Sequence, residues 1–250
     1  MRIIISPAKK MIVDDDFLPL TTPPFLAEAE YLRKTLQKLT PQQLQKLWQC
    51  NDKIAEENIQ RLQEMDLQKN LTAAIMAYDG IQYKYMAPAV MEEESLAYLQ
   101  EHLRILSGFY GILRPLDAVV PYRLEMQAKL AVDGKKNLYE FWQRKLADYL
   151  FAETDFILNL ASKEYSKVIE PYLGENITFI SCIFGELKDG KVMEKGTLCK
   201  MARGEMVQWL AKNKVTEAEK IKNFDRLDYT FAEKYSTASN FVFIKGGCRC

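Results

Sequence analysis

The sequence predicts a single α/β domain of mixed α+β character over residues 1–250, in which helices surround a mixed central sheet. Three apolar runs with strand character are spread along the chain, at residues 2–5, 155–160 and 177–184, and amphipathic helical patterns separate them. The sequence shows no internal repeat, low-complexity linker or break in composition. These features favour one continuous domain.

The elements are predicted in chain order from local patterns. Residues 2–5 form a β-branched run that is typical of a buried strand. Helices are predicted over about residues 25–66, with a capping box formed by Thr40 and Gln43. Residues 71–78 fit either a strand or a buried helix. The remaining predictions are a helix at 137–151, strands at 155–160 and 177–184, a hairpin turn at 188–191, a helix opening at Lys200 and a strand at 241–244.

The charge pattern neither requires nor excludes a polyanionic partner. The 34 basic and 34 acidic residues cancel, so any attraction to nucleic acid must come from local patches. Residues 102–136 carry six Lys and Arg against three Asp and Glu, and residues 188–214 carry seven against three. These two windows are the predicted basic surfaces.

Cysteine usage and hydropathy predict a cytoplasmic protein. Five cysteines show neither paired metal-ligand spacing nor a disulfide framework, and no apolar run is long enough to cross a membrane. Cys248 and Cys250 allow a terminal metal or redox pair, but a tail without such a function is the preferred interpretation.

The stretch from residue 102 to residue 126 carries the first functional hypothesis. Leucines three or four apart predict a helix through Leu106, and Ser107 to Gly111 then break the pattern with Gly108 and Gly111 around two aromatics. A new helix after Arg114 would complete a helix-hairpin-helix-like element at about residues 95–120. Bare hairpin amides, with Arg114 or Arg123, would bind DNA phosphates. Alternatively, the aromatics fill the core and Arg114 pairs with Asp117.

Polar turns after two predicted strands carry the second hypothesis. Ser6 and Lys9 follow the first strand, and Ser162 and Lys163 follow the strand at 155–160. Because open α/β sheets place ligands at the carboxyl ends of their strands, the two lysines are expected on one rim. Such a rim allows an enzyme that acts on a nucleobase, a nucleotide or another phosphorylated small molecule.

Several motifs together resemble the YaaA family of bacterial peroxide-stress proteins, and the likeness spans nearly the whole chain. The motifs are residues 4–9 (IISPAK), 106–117 (LSGFYGILRPLD), 121–126 (PYRLEM), 159–162 (NLAS), Lys200 with 202–204 (ARG), and the closing segment 229–244.

This resemblance implies a cytosolic protein that limits hydrogen-peroxide damage by keeping free intracellular iron low. It also implies a helix-hairpin-helix-like element beside a positive cleft that binds DNA, duplex or branched, largely without sequence specificity. Transferred to this chain, the hairpin is Ser107 to Gly111, with Arg114 and Arg123 behind it. The cleft wall would comprise Lys9, Lys163, Lys200 and Arg203.

No cofactor, metal site or membrane partner is predicted. His102 is the only histidine and lies in a helical pattern, which disfavours histidine-based catalysis or a histidine-rich metal site. Direct iron binding would have to use carboxylates such as Glu92, Glu93 and Glu94. DNA binding in the peroxide response is the leading hypothesis, with the enzyme and the iron-binding protein as alternatives.

Overall fold

A mixed eight-stranded sheet occupies the centre of the computed structural model, which describes residues 1–246. Cys248 and Cys250, considered above as a terminal pair, lie outside the described residues. The strands are β1 (Arg2–Ile5), β2 (Lys10–Met11), β3 (Thr72–Ala73), β4 (Tyr78–Asp79), β5 (Leu103–Ser107), β6 (Gly111–Leu113), β7 (Ala118–Val119), β8 (Phe156–Asn159), β9 (Thr178–Lys188), β10 (Lys191–Met193), β11 (Tyr229–Phe231) and β12 (Asn240–Lys245).

The sheet is parallel at its centre and antiparallel at its margins. Its order is β11-β12-β9-β8-β1-β5-β6, with β10 paired to β9. Neighbours from β12 to β5 run parallel, whereas β11, β10 and β6 are antiparallel to their partners. Ile3, Ile4 and Ile5 of β1 are fully buried. Because both faces of a central parallel strand are covered, this run is continuously apolar.

Helices pack around the sheet and extend beyond it. They are α1 (Leu26–Gln37), α2 (Pro41–Trp48), α3 (Asp52–Glu64), α4 (Ala74–Ala77), α5 (Ile81–Met86), α6 (Glu93–His102), α7 (Leu138–Trp142), α8 (Lys145–Glu153), α9 (Lys163–Ser166), α10 (Gly196–Lys212) and α11 (Ala218–Ile221). The Thr40 capping box is present, with reciprocal hydrogen bonds to Gln43. Within residues 1–246, no helix has the length and apolar composition needed to span a membrane.

The predicted helix at 137–151 is two helices. Gln143 has a positive φ of 44° between α7 and α8, which ends the first helix and redirects the chain. The ambiguous residues 71–78 contain both alternatives, since β3 leads into the single helical turn α4 and then into β4.

The helix-hairpin-helix prediction for about residues 95–120 is not confirmed. Helix α6 ends at His102, and the next residues form β5 and β6, an antiparallel hairpin. Leu103 and Leu106 therefore lie in a strand, although their spacing fits the preceding helix. The other edge of β5 pairs with β1, so hydrogen bonding within the sheet outweighs the local helical pattern.

The turn of this hairpin lies inside the protein. Ser107, Phe109 and Tyr110 are fully buried. The Ser107 hydroxyl accepts hydrogen bonds from the backbone N–H groups of Phe109 at 3.1 Å and Tyr110 at 2.8 Å. These amides are consequently satisfied within the fold. The alternative interpretation is confirmed, because both aromatics fill the core and the Arg114 Nε lies 3.4 Å from Oδ1 of Asp117.

Candidate functional site

A cleft of about 380 Å³ opens at the carboxyl edge of β1 and β8. The turns that follow these strands meet there. The Ser6 hydroxyl lies 3.2 Å from the hydroxyl of Ser162 and accepts the backbone N–H of Ser162 at 2.9 Å. The two serine-bearing turns thus meet at one edge of the sheet, and of the two lysines expected on one rim, Lys9 lines the cleft and Lys163 does not.

Five parts of the chain form the cleft wall. They are residues 6–10 after β1, residues 79–83 from β4 into α5, residues 122–125, Ser162 with two positions on α9, and two positions on α10. The two positions on α10 are Lys200 and Arg203, which are three residues apart and were predicted to share a helix face. Distant segments thus converge on one concave surface.

The basic side chains of the cleft differ in burial. Lys9 is 64% exposed and its Nζ lies 2.8 Å from Oε2 of Glu125. Arg123 and Arg203 are only 12% and 16% exposed, yet among the described residues their Nε–H groups have no hydrogen-bond acceptor. Each guanidinium forms a long ion pair through Nη2, at 3.7 Å from Arg123 to Oε1 of Glu125 and at 4.0 Å from Arg203 to Oε2 of Glu194. Two largely buried guanidinium groups therefore have donors available for a ligand.

Carboxylates share the cleft with these cations. Burial raises the pKa of Glu164, and the nearby charge of Glu125 adds to this effect, although a hydrogen bond from the backbone N–H of Gln127 opposes it. Asp79 pairs with Lys10, whose hydrogen bond holds the pKa of that carboxyl below its usual range. The cleft is therefore of mixed charge, with a cationic excess.

Tyrosine hydroxyls support the floor of the cleft. Tyr83 donates to the backbone carbonyl of Ser6 at 3.0 Å. The Tyr122 hydroxyl lies between those of Tyr78, at 2.8 Å, and Ser107, at 2.7 Å. Burial raises the pKa of Tyr122 to about 12, so this hydroxyl stays neutral near pH 7. The phenols position the cleft wall and stay protonated.

The buried hairpin supports the cleft from behind. The backbone of residues 124–126 lies directly against Gly108, where a Cβ atom would come within 2.6 Å of the Leu124 carbonyl oxygen. Gly111 has a positive φ of 74° and packs against Trp142 and Leu146. Both glycines are needed for close approach of backbone and side chains.

The residues predicted to contact DNA therefore fall into two groups. Lys9, Arg123, Lys200 and Arg203 line the cleft together. The other five lie elsewhere: Ser107, Gly108 and Gly111 are buried, Arg114 faces Asp117, and Lys163 is exposed beside the cleft-lining Ser162.

Two cleft residues, Gln82 and Glu125, were not predicted as site residues. Gln82 is 7% exposed, and within residues 1–246 its Nε2 has no acceptor. Oε1 of Glu125 likewise has no hydrogen-bond donor in the described part of the chain. The sequence around them gives little indication of a site, because a glutamine beside aromatic residues and a glutamate in a loop are both common on protein surfaces.

The residues considered for iron do not form a compact site. Glu92, Glu93 and Glu94 are all exposed, and Glu94 pairs with Lys214 at 2.7 Å. In the part of the chain that the structure describes, no three His, Cys, Asp or Glu side chains are grouped closely enough to hold a metal ion.

Comparison with known proteins places this chain in a family. The family model described as "Peroxide stress protein YaaA" matches residues 1–235. The chain belongs to the YaaA peroxide stress protein family. It is 53% identical over 247 residues to a UPF0246 protein of Lachnoclostridium phytofermentans, covering 98% of this chain and 97% of the relative. It is also 54% identical over 246 residues to a UPF0246 protein of Desulfitobacterium hafniense, covering 98% of each chain. This membership supports a role in peroxide stress.

Proposed function

We propose that this member of the YaaA family is a cytoplasmic protein of the peroxide response that binds DNA phosphates in the cleft. The observation that carries the proposal is the pair of largely buried guanidinium groups, Arg123 and Arg203, whose Nε–H donors have no acceptor in the described chain. Lys9 and Lys200 add positive charge to the same wall. The exposed Lys163, next to Ser162, is proposed as an outer contact.

The chemistry of arginine favours phosphate as the bound group. A guanidinium presents donors in a planar fork that matches two phosphate oxygens, and such charge-assisted bonds are stronger than neutral ones. Partial burial of Arg123 and Arg203 strengthens them further, because less water competes. Phosphate contacts of this kind carry no base sequence, so binding is expected to be largely nonspecific and sensitive to salt.

The size of the cleft limits which part of DNA enters it. A volume of about 380 Å³ falls in the range of small-ligand sites, about 300–1,000 Å³. A single nucleotide fits this scale, whereas a continuous duplex does not. We therefore expect branched or single-stranded DNA to bind more tightly than a perfect duplex.

Low free iron is part of the same proposal. Ferrous iron converts hydrogen peroxide into hydroxyl radical, which attacks DNA. Limiting iron and binding DNA would therefore both protect DNA. In peroxide-treated cells, loss of the cleft arginines is expected to raise the free-iron signal measured by electron paramagnetic resonance. An unchanged signal would separate iron control from the cleft.

The DNA test compares two double variants of equal net charge. Arg123→Met with Arg203→Met removes the cleft guanidinium groups, and Arg61→Met with Arg144→Met removes two exposed ones. Titration of labelled duplex, single-stranded and branched DNA across a salt series measures affinity. A charge-assisted hydrogen bond contributes about 1.5–3 kcal/mol, so the cleft variant should bind roughly tenfold weaker or more.

The salt slope supplies a second readout in the same experiment. Each lost phosphate contact should lower the slope of log affinity against log salt by about one. The control variant should keep both the affinity and the slope. Equal binding by the two variants, with both folded by circular dichroism, would overturn the proposal.

A second candidate function is an enzyme acting on a nucleobase, nucleotide or other phosphorylated small molecule at the same edge of the sheet. The Ser6 and Ser162 hydroxyls, 3.2 Å apart, favour it, as does a carboxyl of raised pKa at Glu164. Release of phosphate or free base from nucleotides, lost in Ser6→Ala and Glu164→Gln, would support it. No release by folded wild-type protein would contradict it.

A further inference from the structure

We infer that the cleft binds a nucleotide whose base is unpaired, and that Gln82 and Glu125 hydrogen-bond to the base edge. The inference rests on the proposed phosphate site at Arg123 and Arg203. It adds recognition of the base, which contacts to phosphate alone do not require. The observation behind it is a donor and an acceptor, both buried in the cleft wall and both without a hydrogen bond among residues 1–246.

Gln82 supplies the donor. Its side chain is more than nine-tenths buried, and its Nε2 has no acceptor within the described chain. A buried amide without a partner costs free energy, about 1–3 kcal/mol, which a bound acceptor would recover. The carboxamide is therefore poised to donate to a ligand in the cleft.

The position of Gln82 relative to Arg203 is fixed by close helix packing. A Cβ atom added at Gly204 would lie 2.1 Å from the backbone carbonyl oxygen of Gln82, so α10 approaches α5 through this glycine. Arg203 precedes Gly204 in the chain. Gln82 and Arg203 therefore line the same small cleft, and one ligand could contact both side chains.

Glu125 supplies the acceptor. Its Oε2 is occupied by Lys9 at 2.8 Å, and its buried Oε1 lies 3.7 Å from Nη2 of Arg123, an ion-pair distance at which no hydrogen bond forms in the part of the chain described. A fully ionised phosphate diester offers only acceptors, so it can satisfy the arginines and Gln82 but not Glu125. A ligand that also carries a donor would give Oε1 the hydrogen bond that Arg123 does not supply.

A nucleobase carries such a donor on its pairing edge. Each base presents an N–H donor beside a nitrogen or oxygen acceptor there, and amide and carboxylate side chains are suited to read such groups. Base pairing occupies that edge, so the base must be unpaired or displaced from the helix. The same chemistry is offered by a free mononucleotide and by an unpaired nucleotide in DNA.

Calorimetric binding separates the base from the phosphate. Deoxynucleoside 5′-monophosphates are compared with 2-deoxyribose 5-phosphate, which has the phosphate and no base. Wild-type protein should bind the nucleotides about tenfold more tightly. Gln82→Met, which keeps the length and removes the amide, should lose this preference and keep its affinity for the sugar phosphate. Gln60→Met, an exposed position on α3, is the matched control.

Glu125→Gln provides an independent check, because it should change the affinities for sugar phosphate and for nucleotides differently. Removal of a negative charge from a cationic cleft should leave sugar-phosphate binding unchanged or tighter. The preference for nucleotides over the sugar phosphate should fall. A variant that merely perturbs the fold would weaken both ligands together, and that result would contradict the assigned role.

DNA competitors identify the source of the nucleotide. A duplex with one unpaired nucleotide is compared with the same duplex carrying an abasic residue there. Stronger competition by the first supports recognition within DNA, whereas tight mononucleotide binding without DNA competition supports a free nucleotide. Equal binding of sugar phosphate and nucleotides would overturn base recognition alone. Failure of the Arg123 and Arg203 variants to weaken any ligand would overturn the phosphate site as well.

Discussion

The side-chain hydroxyl of Ser6 accepts the backbone N–H of Ser162 at 2.9 Å, which ties together the turns after β1 and β8 at the edge of the cleft. The same hydroxyl donates to that of Ser162 at 3.2 Å. Ser6 is thus the acceptor on which a backbone amide depends, whereas Ser162 contributes only a side-chain contact. The two serines look equivalent in sequence but have different structural roles.

Alanine at Ser6 should therefore cost more stability than alanine at Ser162. Ser6→Ala removes the acceptor of a partly buried backbone N–H, at a cost of about 1 kcal/mol, and Ser162→Ala leaves that hydrogen bond intact. Urea denaturation of both variants measures the difference. Equal losses would mean that water replaces the Ser6 hydroxyl without cost.

Gly108→Ala should destabilise the protein and weaken ligand binding in the cleft together. The new Cβ would meet the Leu124 carbonyl at 2.6 Å, and backbone rather than a flexible side chain would have to move. Overpacking of this kind costs about 1–3 kcal/mol. The displaced segment contains Glu125 and directly follows Arg123, so affinity for DNA should fall as well.

Gly196→Ala is the matched control for this substitution. Gly196 begins α10, and no described heavy atom lies within 4 Å of its added Cβ. Alanine should be neutral or slightly stabilising there, because it is the better helix former. Thermal unfolding and DNA titration are measured on both variants. A Gly108 variant that is as stable as the Gly196 variant would show that residues 124–126 adjust without strain.

The sequence was informative where local pattern and tertiary structure agree. The buried run of β1, the Thr40 capping box and the polar turns after β1 and β8 each follow from nearby residues alone. The sharing of one helix face by Lys200 and Arg203 follows from helical spacing. Four of the nine predicted contact residues are consequently brought together in the cleft.

The hairpin and the uncharged part of the site depend on long-range contacts. Leucines at helical spacing continue from α6 into β5, and only the pairing of β5 with β1 distinguishes strand from helix there. Gln82 enters the cleft wall because α5 packs against α10 at Gly204. No periodicity near Gln82 encodes that meeting, so its unpartnered amide becomes apparent only in three dimensions.

The ion pair between Arg104 and Glu153 should give the protein a measurable pH dependence. The two side chains make two hydrogen bonds, at 2.8 and 3.0 Å, and Arg104 is 4% exposed. Burial raises the pKa of Glu153, but the hydrogen bonds and charges of Arg104 and Arg2 outweigh it, so the pKa lies below its usual 4.5. Unfolding then takes up a proton at acid pH. The stabilisation is complete above about pH 4.5 and is lost as the pH falls through the folded pKa.

Glu153→Gln should accordingly lose about 2–3 kcal/mol at pH 7, because a buried guanidinium is left without its counter-charge. The difference in free energy of unfolding between Glu153→Gln and the wild type should become smaller below pH 4.5. Urea denaturation between pH 7 and pH 3.5 measures it. Glu57→Gln, which removes an exposed helix pair with Arg61, should cost only a few tenths of a kcal/mol. A gap that stays constant with pH would contradict the lowered pKa.

Arg114 and Arg123 allow a direct test of which surface meets DNA. Arg114 faces Asp117, a fully buried carboxylate, so Arg114→Met should lower stability by about 2 kcal/mol and leave DNA affinity within about twofold. Arg123→Met removes a guanidinium that lines the cleft and whose ion pair with Glu125 is long, at 3.7 Å, so it should affect stability little and weaken DNA binding roughly tenfold.

The two variants have the same net charge, so a general electrostatic effect on DNA binding would lower both affinities equally. Titration of single-stranded DNA at one salt concentration, with urea denaturation of the same samples, places each variant on both scales. If Arg114→Met lowers the free energy of unfolding but not DNA affinity, and Arg123→Met does the reverse, Arg114 stabilises the fold and Arg123 contacts the ligand. Equal weakening by the two variants would instead indicate a general effect of charge and would contradict a specific contact of Arg123, since the Arg114 guanidinium, 32% exposed after β6, lies outside the cleft.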